Sequence, residues 1–267
     1  MTGFRVALLQ TDPVLGMVEH NVAELHAGLR RVPDVDLAVA AELAVHGYHI
    51  DSNPLSAKEL VDLGEHGPAV VVGFAEASEG GQPYNSAAVI DRTDVVVQRK
   101  LYLVQYRGWR ERDQFRPGDR LDCHEVRGAK IAVLVCNDLW QPALPWLAAH
   151  SGAEVLVVIA NSMHSDASPP AQRVWDVLIT HAAVALQSYV VFVNRCGTEL
   201  GQSFWGGSRV VGPDGEVIAE LGAEPGIAVA EIDLEGLREL RREWPLLRDS
   251  GFDLIATETA RRVTVVG

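Results

Sequence analysis

Ile131-Ala132-Val133-Leu134-Val135-Cys136-Asn137-Asp138-Leu139-Trp140 is the stretch on which the fold turns. Its first five residues are apolar and three are β-branched, the pattern of a strand buried on both faces. The run stops at a cysteine, and polar residues follow at once. Pro142 to His150 then reads as a helix, with Gly152 placed to end it. The carboxyl end of a buried strand that faces a helix is where open α/β sheets place their chemistry. A free cysteine there is ordinarily a small buried hydrophobe. Cys136 therefore needs partners from elsewhere in the chain before it counts as a nucleophile.

Outward from this unit, strands and helices alternate in both directions. Phe4 to Gln10, Asp36 to Ala40, Ala69 to Phe74, Ser86 to Ile90 and Val95 to Gln98 read as strands, the last two joined by the hairpin-type loop Asp91 to Asp94. Asn21 to Arg31 and Ala57 to Leu63 read as helices. Beyond the central unit come a strand at Glu154 to Ala160, a helix at Pro170 to Ser188 and a strand at Tyr189 to Asn194. Ser208 to Val211 and Val217 to Leu221 flank the turn Pro213-Asp214-Gly215. Ala228 to Ile232 is one more strand, and the helix Leu234 to Arg242 is stopped by Trp244-Pro245. Lys100 to Asp122 has no regular pattern but is rich in Arg, Tyr, Trp and Gln, which marks a functional loop rather than a disordered one. With no repeat and no linker, residues 1–267 read as one α/β domain with an antiparallel element near the end.

The net charge of -13 repels phosphate backbones, so no nucleic-acid partner is expected. Three widely spaced cysteines fit neither a disulfide framework nor a paired zinc motif, which points to a reducing compartment. Cys123 and Cys196 read as structural. The N-terminus lacks a signal-peptide layout, and no apolar run approaches the roughly 20 residues of a membrane span. A cytoplasmic protein without a membrane partner is the expectation.

Glu42, Lys100 and Cys136 each end an apolar run. Strand ends on one edge of a sheet converge, so the three can meet. A carboxylate can act as general base for a thiol. A lysine, with the backbone N–H after the cysteine, can stabilise an oxyanion. If the thiol is activated in this way, its alkylation should continue well below pH 8.

These residues carry a resemblance. Asp36 to Tyr48, with Glu42 inside it, resembles the glutamate motif of the nitrilase (carbon-nitrogen hydrolase) superfamily. Arg99 to Leu103, leading to Glu111, Phe115 and Pro117-Gly118, resembles its lysine motif, and Val133 to Trp140 its cysteine motif. Asn194-Arg195-Cys196-Gly197, Trp205-Gly206-Gly207-Ser208 and Arg241-Arg242-Glu243-Trp244-Pro245 continue the likeness in the family's order. The resemblance implies an α-β-β-α sandwich that pairs into a four-layer assembly, hence a homodimer or a multiple of dimers. It implies thiol catalysis with no cofactor and no metal. Glu42 would be general base and then acid, Cys136 the nucleophile, Lys100 the stabiliser of the tetrahedral intermediate, and Glu111 a second acidic residue orienting substrate or lysine. The reaction implied is attack on an amide-type carbon, loss of ammonia or an amine, and hydrolysis of an acyl-thioester.

The chain departs from the family pattern at Ala41, at Ala143 and through Val104 to Arg110, where substrate shape is read. Cys136-Asn137-Asp138 replaces the Cys-Trp-Glu typical of true nitrilases, so the resemblance favours an amidase acting on a small linear amide. A nitrilase, an N-carbamoyl hydrolase and a free-standing glutaminase or ω-amidase are the alternatives, and an inactive binding protein on the same scaffold is the non-enzymatic one. Tyr48, Tyr106, Trp109, Asn137, Trp140, Asn161, Ser162 and Met163 are the candidate pocket residues, with the aromatics as apolar walls. Arg107 and Arg110 could grip a substrate carboxylate but read first as surface residues. His46, His49 and His164 lack a convincing ligand set for a metal. The tail, about residues 250–267, is a candidate subunit contact, with Val263 to Val266 as a possible pairing strand.

Overall fold

The computed structural model describes residues 3–49, 53–106, 109–165 and 169–262. Two six-stranded sheets make its centre. The first has the order β14-β1-β2-β3-β4-β5, from β1 (Phe4–Gln10), β2 (Leu37–Ala40), β3 (Ala69–Glu76), β4 (Tyr84–Asp91), β5 (Asp94–Arg99) and β14 (Gly226–Ile232). The second has the order β13-β12-β9-β8-β7-β6, from β6 (Cys123–Val126), β7 (Ala129–Val135), β8 (Val155–Ala160), β9 (Tyr189–Asn194), β12 (Arg209–Val211) and β13 (Val217–Glu220). In each sheet the inner strands are parallel (β1–β2–β3 and β7–β8–β9) and the outer ones antiparallel. A short hairpin, β10 (Cys196–Glu199) with β11 (Gln202–Trp205), stands apart.

The period of two in each strand decides the layering. Val6, Leu8, Val39 and Val71 of the first sheet meet Ile131, Val133, Val135, Val157 and Val191 of the second in one core. The alternate residues Ala7, Leu9, Ala38 and Val70 face outward onto Leu25 and Leu29 of α1 (Val18–Leu29) and onto Leu60 and Leu63 of a 3-10 helix at Ala57–His66. On the other side Leu134, Leu156, Val158 and Phe192 pack on α2 (Ala143–His150) and α3 (Ala171–Ala185). The result is the α-β-β-α sandwich, with strands buried on both faces as their unbroken apolar runs require. Helices α4 (Leu234–Glu243) and α5 (Phe252–Arg262) follow. The Asp233 side chain caps α4 by accepting from the Gly236 N–H at 2.9 Å.

Strand β6, the β10–β11 hairpin and α5 were not legible as elements, since their sequences are short or polar. The segment Val263 to Val266 lies outside the described residues. No helix among the described residues is long and apolar enough to cross a membrane.

Candidate active site

Three strand ends build the site. After β2 the chain turns at Ala41-Glu42-Leu43, with Leu43 in the left-handed region at φ 50°. Gly73 on β3 makes room for this turn, because a Cβ there would lie 2.4 Å from the Leu43 nitrogen and 2.6 Å from the Glu42 Cα. Lys100 follows β5 directly. Cys136 follows β7 with φ 50°, a strained non-glycine backbone that projects its side chain out of the strand line. Strain of this kind persists only where the surroundings hold it. Here Asp138 does so: its carboxylate accepts from the N–H groups of Val135 (3.1 Å), Leu101 (3.0 Å) and Tyr102 (2.8 Å). One buried side chain thereby ties the cysteine elbow to the lysine loop. Burial pushes its carboxyl up to about 7, against the pull of those N–H donors and of Lys100.

Glu42, Lys100 and Glu111 meet in the interior. The fully buried Lys100 Nζ donates to Glu42 Oε1 at 2.7 Å and to Glu111 Oε1 at 2.9 Å. Burial alone would lower the lysine's proton affinity, but Glu111 and Glu42 hold the ammonium well above its usual range. Glu42 is held further by the Asn85 side-chain amide (2.7 Å) and by the Asn161 N–H on Oε2 (2.7 Å). Glu111 also takes the Tyr48 hydroxyl (2.7 Å) and the Val104 N–H (2.8 Å). Glu42, Lys100 and Glu111 all act electrostatically on Cys136.

The condition set for alkylation well below pH 8, a thiol already activated at rest, is not met by this setting. Burial, with Glu42 adding to it, pushes the Cys136 thiol well above its ordinary range, and Lys100 only partly opposes them. The resting sulfur is protonated at neutral pH. Alkylation well below pH 8 is therefore not expected of the resting protein. Two carboxylates stand against one ammonium, so no positive charge is left over to hold a thiolate.

Cys136 lies at a pocket of about 210 Å³. Tyr48, Tyr106, Trp109, Asn137, Trp140, Asn161, Ser162 and Met163 all line it, together with Val104, His164, Ala171, Trp175 and Gln202. Several of them serve the scaffold as well. The Asn137 side chain donates to the Tyr102 carbonyl (3.0 Å) and accepts from the Tyr106 hydroxyl (3.0 Å). The Ser162 hydroxyl accepts from the indoles of Trp175 (2.8 Å) and Trp205 (3.0 Å). Trp175 and Asn85 gave no local signal in the sequence: each is one aromatic or polar residue inside an ordinary element. Asp138 stands in the cysteine motif, but nothing in the sequence marked it as the tie to the lysine loop. Arg110 is exposed and pairs with Asp113 at 2.9 Å, away from any substrate role. Arg107 lies outside the described residues.

Among the described residues no three His, Cys, Asp or Glu side chains converge so as to hold a metal ion. His49 is bound to Glu199 (2.8 Å). The Cys196 thiol is pushed up to about 12, chiefly by burial, and Cys123 is raised by burial too. Both cysteines are free.

His46 has another use. It is fully buried, with Nδ1 accepting from the Ala75 N–H (3.1 Å) and Nε2 donating to the Asn53 carbonyl (3.3 Å). Burial pushes its pKa down to about 4, although the Asn53 bond pulls upward. Between pH 6.5 and 4 the unfolded chain therefore binds a proton that the native state refuses. The contribution is complete above pH 6.5 and is lost as pH falls, by about 3 kcal/mol at pH 4. Urea unfolding at pH 7 and pH 4.5 should show this loss, and His46→Gln should flatten that part of the slope. An unchanged slope in the variant would remove His46 from the account.

Comparison with known proteins identifies the family. The carbon-nitrogen hydrolase family model matches residues 5–242. An (R)-stereoselective amidase of a Pseudomonas species is 35% identical over 206 residues, 74% of this chain and 71% of the relative. An N-carbamoylputrescine amidase of Solanum tuberosum is 33% identical over 205 residues, 71% of this chain and 68% of the relative. A solved carbon-nitrogen hydrolase structure from Helicobacter pylori G27 superposes with a TM-score of 0.83 at 28% identity, covering 94% of this chain and 96% of that one.

Proposed function

The chain belongs to the carbon-nitrogen hydrolase family and is an enzyme of that class, and from that premise we propose that it is a thiol amidase that cleaves a small linear amide through an acyl-thioester on Cys136. The observation that carries this reading is the Lys100 ammonium clasped by Glu42 and Glu111 in electrostatic contact with Cys136.

The reaction follows from the charges. A protonated thiol is a poor nucleophile, so proton transfer accompanies attack. Glu42 takes the thiol proton as sulfur bonds to the amide carbon. The carbonyl oxygen becomes an oxyanion, which the Lys100 ammonium and the Asn137 N–H stabilise. Glu42 returns its proton to the leaving nitrogen, the C–N bond breaks, and ammonia or an amine departs. The acyl group stays on sulfur. Glu42 then takes a proton from water, hydroxide adds to the thioester, the C–S bond breaks, and Cys136 is reprotonated as the carboxylic acid leaves. Buried between its neighbours, Lys100 keeps its charge throughout, so it needs no reorganisation when the oxyanion forms. Glu111 orients it.

The pocket suits a short acyl group. Its volume of about 210 Å³ lies below the range of about 300–1,000 Å³ that holds larger, drug-sized ligands. Its lining joins aromatic and aliphatic side chains to neutral amides and hydroxyls, and it carries no Asp, Glu, Lys or Arg among the described lining residues. A neutral amide is the substrate that such walls favour over a diamine or a dicarboxylate. The enzyme acts as one domain and as a dimer or multiple of dimers. The exposed Val177 and Val184, seven residues apart on one face of α3, support that assembly.

The test is a panel of short neutral amides, ω-carboxy amides, N-carbamoyl compounds and nitriles, read by ammonia release. Intact-protein mass after rapid acid quench reads the covalent species. Release from neutral amides with an acyl-sized mass gain on Cys136 is expected. Silence across the panel would favour the binding-protein reading, and turnover without an adduct at any quench time would count against the thioester.

A further inference from the structure

Glu199, at the end of β10, is 5% exposed. Its carboxylate takes the Arg195 guanidinium at 2.6 Å, the Tyr48 N–H at 3.0 and 3.1 Å on its two oxygens, and the His49 N–H at 2.8 Å. Burial would push this carboxyl up, yet its donors from His49, Arg195 and Tyr48 hold it below the usual range. Arg195 is fully buried. It spends its other N–H groups on the Asp12 carboxylate and the Pro13 carbonyl, both at 3.1 Å, and its plane lies 4.1 Å over the Phe204 ring. Gly47, at φ +83°, lets the carboxylate approach: a Cβ there would sit 2.8 Å from Glu199 Oε2.

Stability does not account for this pair, because burying two charges costs about as much as their attraction returns. What the pair does is fix one short backbone segment. That segment ends in Tyr48, whose hydroxyl donates to Glu111 Oε1, the oxygen that also accepts from Lys100. We propose that the Arg195–Glu199 pair is a positioning device for the reaction: Glu199 holds the Tyr48–His49 backbone, and the Tyr48 hydroxyl in turn holds Glu111 and the Lys100 ammonium in register with Cys136. This rests on the reading of Lys100 as the partner of the oxyanion. Neither Arg195 nor Glu199 lines the pocket, so they act through Tyr48. A donor displaced by about 1 Å at a reacting centre costs on the order of 100-fold in rate, which sets the scale expected here.

Glu199→Gln keeps the shape and an acceptor oxygen but removes the charge. Tyr48→Phe removes one oxygen atom and leaves the ring packing. Both variants, their double variant and Cys136→Ala are measured for kcat, KM and Tm on the neutral amide that scores highest in the panel. Each of Glu199→Gln and Tyr48→Phe should lower kcat by roughly 10- to 100-fold with KM within about threefold. The double variant should stay within about threefold of the worse single one, because both act through Glu111. A purely structural pair would move Tm and leave kcat alone. The proposal is overturned if Tyr48→Phe keeps kcat within about twofold of the parent or if the two losses multiply in the double variant. Cys136→Ala separates the two levels: if it still turns over, the thioester reading fails and this proposal with it. If it is silent while the losses multiply, only the positioning role fails.

Discussion

Cys136→Ala is expected to reduce turnover to background, a loss on the order of 10⁶-fold by analogy with removal of other covalent nucleophiles, with the melting temperature almost unchanged. The two halves of this expectation have separate causes. Chemistry is lost because Glu42 and Lys100 supply only proton transfer and charge, and alanine offers no atom to bond to the acyl carbon. The fold survives because alanine, like cysteine, carries a Cβ, so the cost of φ 50° at this position is the same in both chains. Asp138 holds the elbow through backbone N–H groups that the substitution leaves in place. Removing one part-buried sulfur at a pocket leaves no sealed cavity. Ammonia release and differential scanning calorimetry on the same preparation check both halves. A variant that retained measurable turnover would displace Cys136 as the nucleophile.

Lys100→Met is expected to destabilise the protein by about 3–5 kcal/mol, the cost of breaking a buried ion pair by removing one partner. Lys100 is 0% exposed, and its ammonium sits between two carboxylates that are themselves buried. Without it, Glu42 and Glu111 face each other with no cation, although Asn85, Asn161, Tyr48 and Val104 still donate to them. The native variant relieves the repulsion by taking up a proton on one carboxyl. Its folded pKa then lies above its unfolded value of about 4.3. Between those values the native state binds a proton that the unfolded chain does not, so stability is gained as pH falls from 7 toward 5. The gap between variant and parent should therefore narrow over that range. Urea titrations of both proteins at pH 7, 6 and 5 measure it, and a gap that stayed constant would mean that the carboxylates are not coupled through the lysine. Turnover should vanish at every pH, since a methionine cannot meet the oxyanion.

The sequence read most clearly where one physical rule ran over several consecutive residues. Val133 to Val135, Leu37 to Ala40 and Val155 to Ala160 are unbroken apolar runs, and the structure buries each on both faces. The β10–β11 hairpin was missed because Cys196 to Trp205 mixes glycine, polar and aromatic residues with no period. The helix expected at Ala57 to Leu63 forms as a 3-10 helix running to His66, with Ser56 and Glu59 in a reciprocal cap. Its start was readable from that spacing; its tighter winding was not.

By itself, the sequence marked the buried strands and three candidate side chains, because strand periodicity is local and because Glu42, Lys100 and Cys136 each stand at the end of an apolar run; the sandwich layering was what the family resemblance implied. Only the tertiary structure decided how they act on one another. Whether Cys136 rests as thiol or thiolate depends on the sum of charges around it, and Glu111, Glu42 and Lys100 are brought together from loops far apart in the chain. The same holds for Asp138 beneath the elbow and for Arg195 with Glu199 behind Tyr48. Each is one polar residue whose meaning lies in the donors that folding places around it, and desolvation and Coulomb energy depend on distances that a linear sequence does not contain.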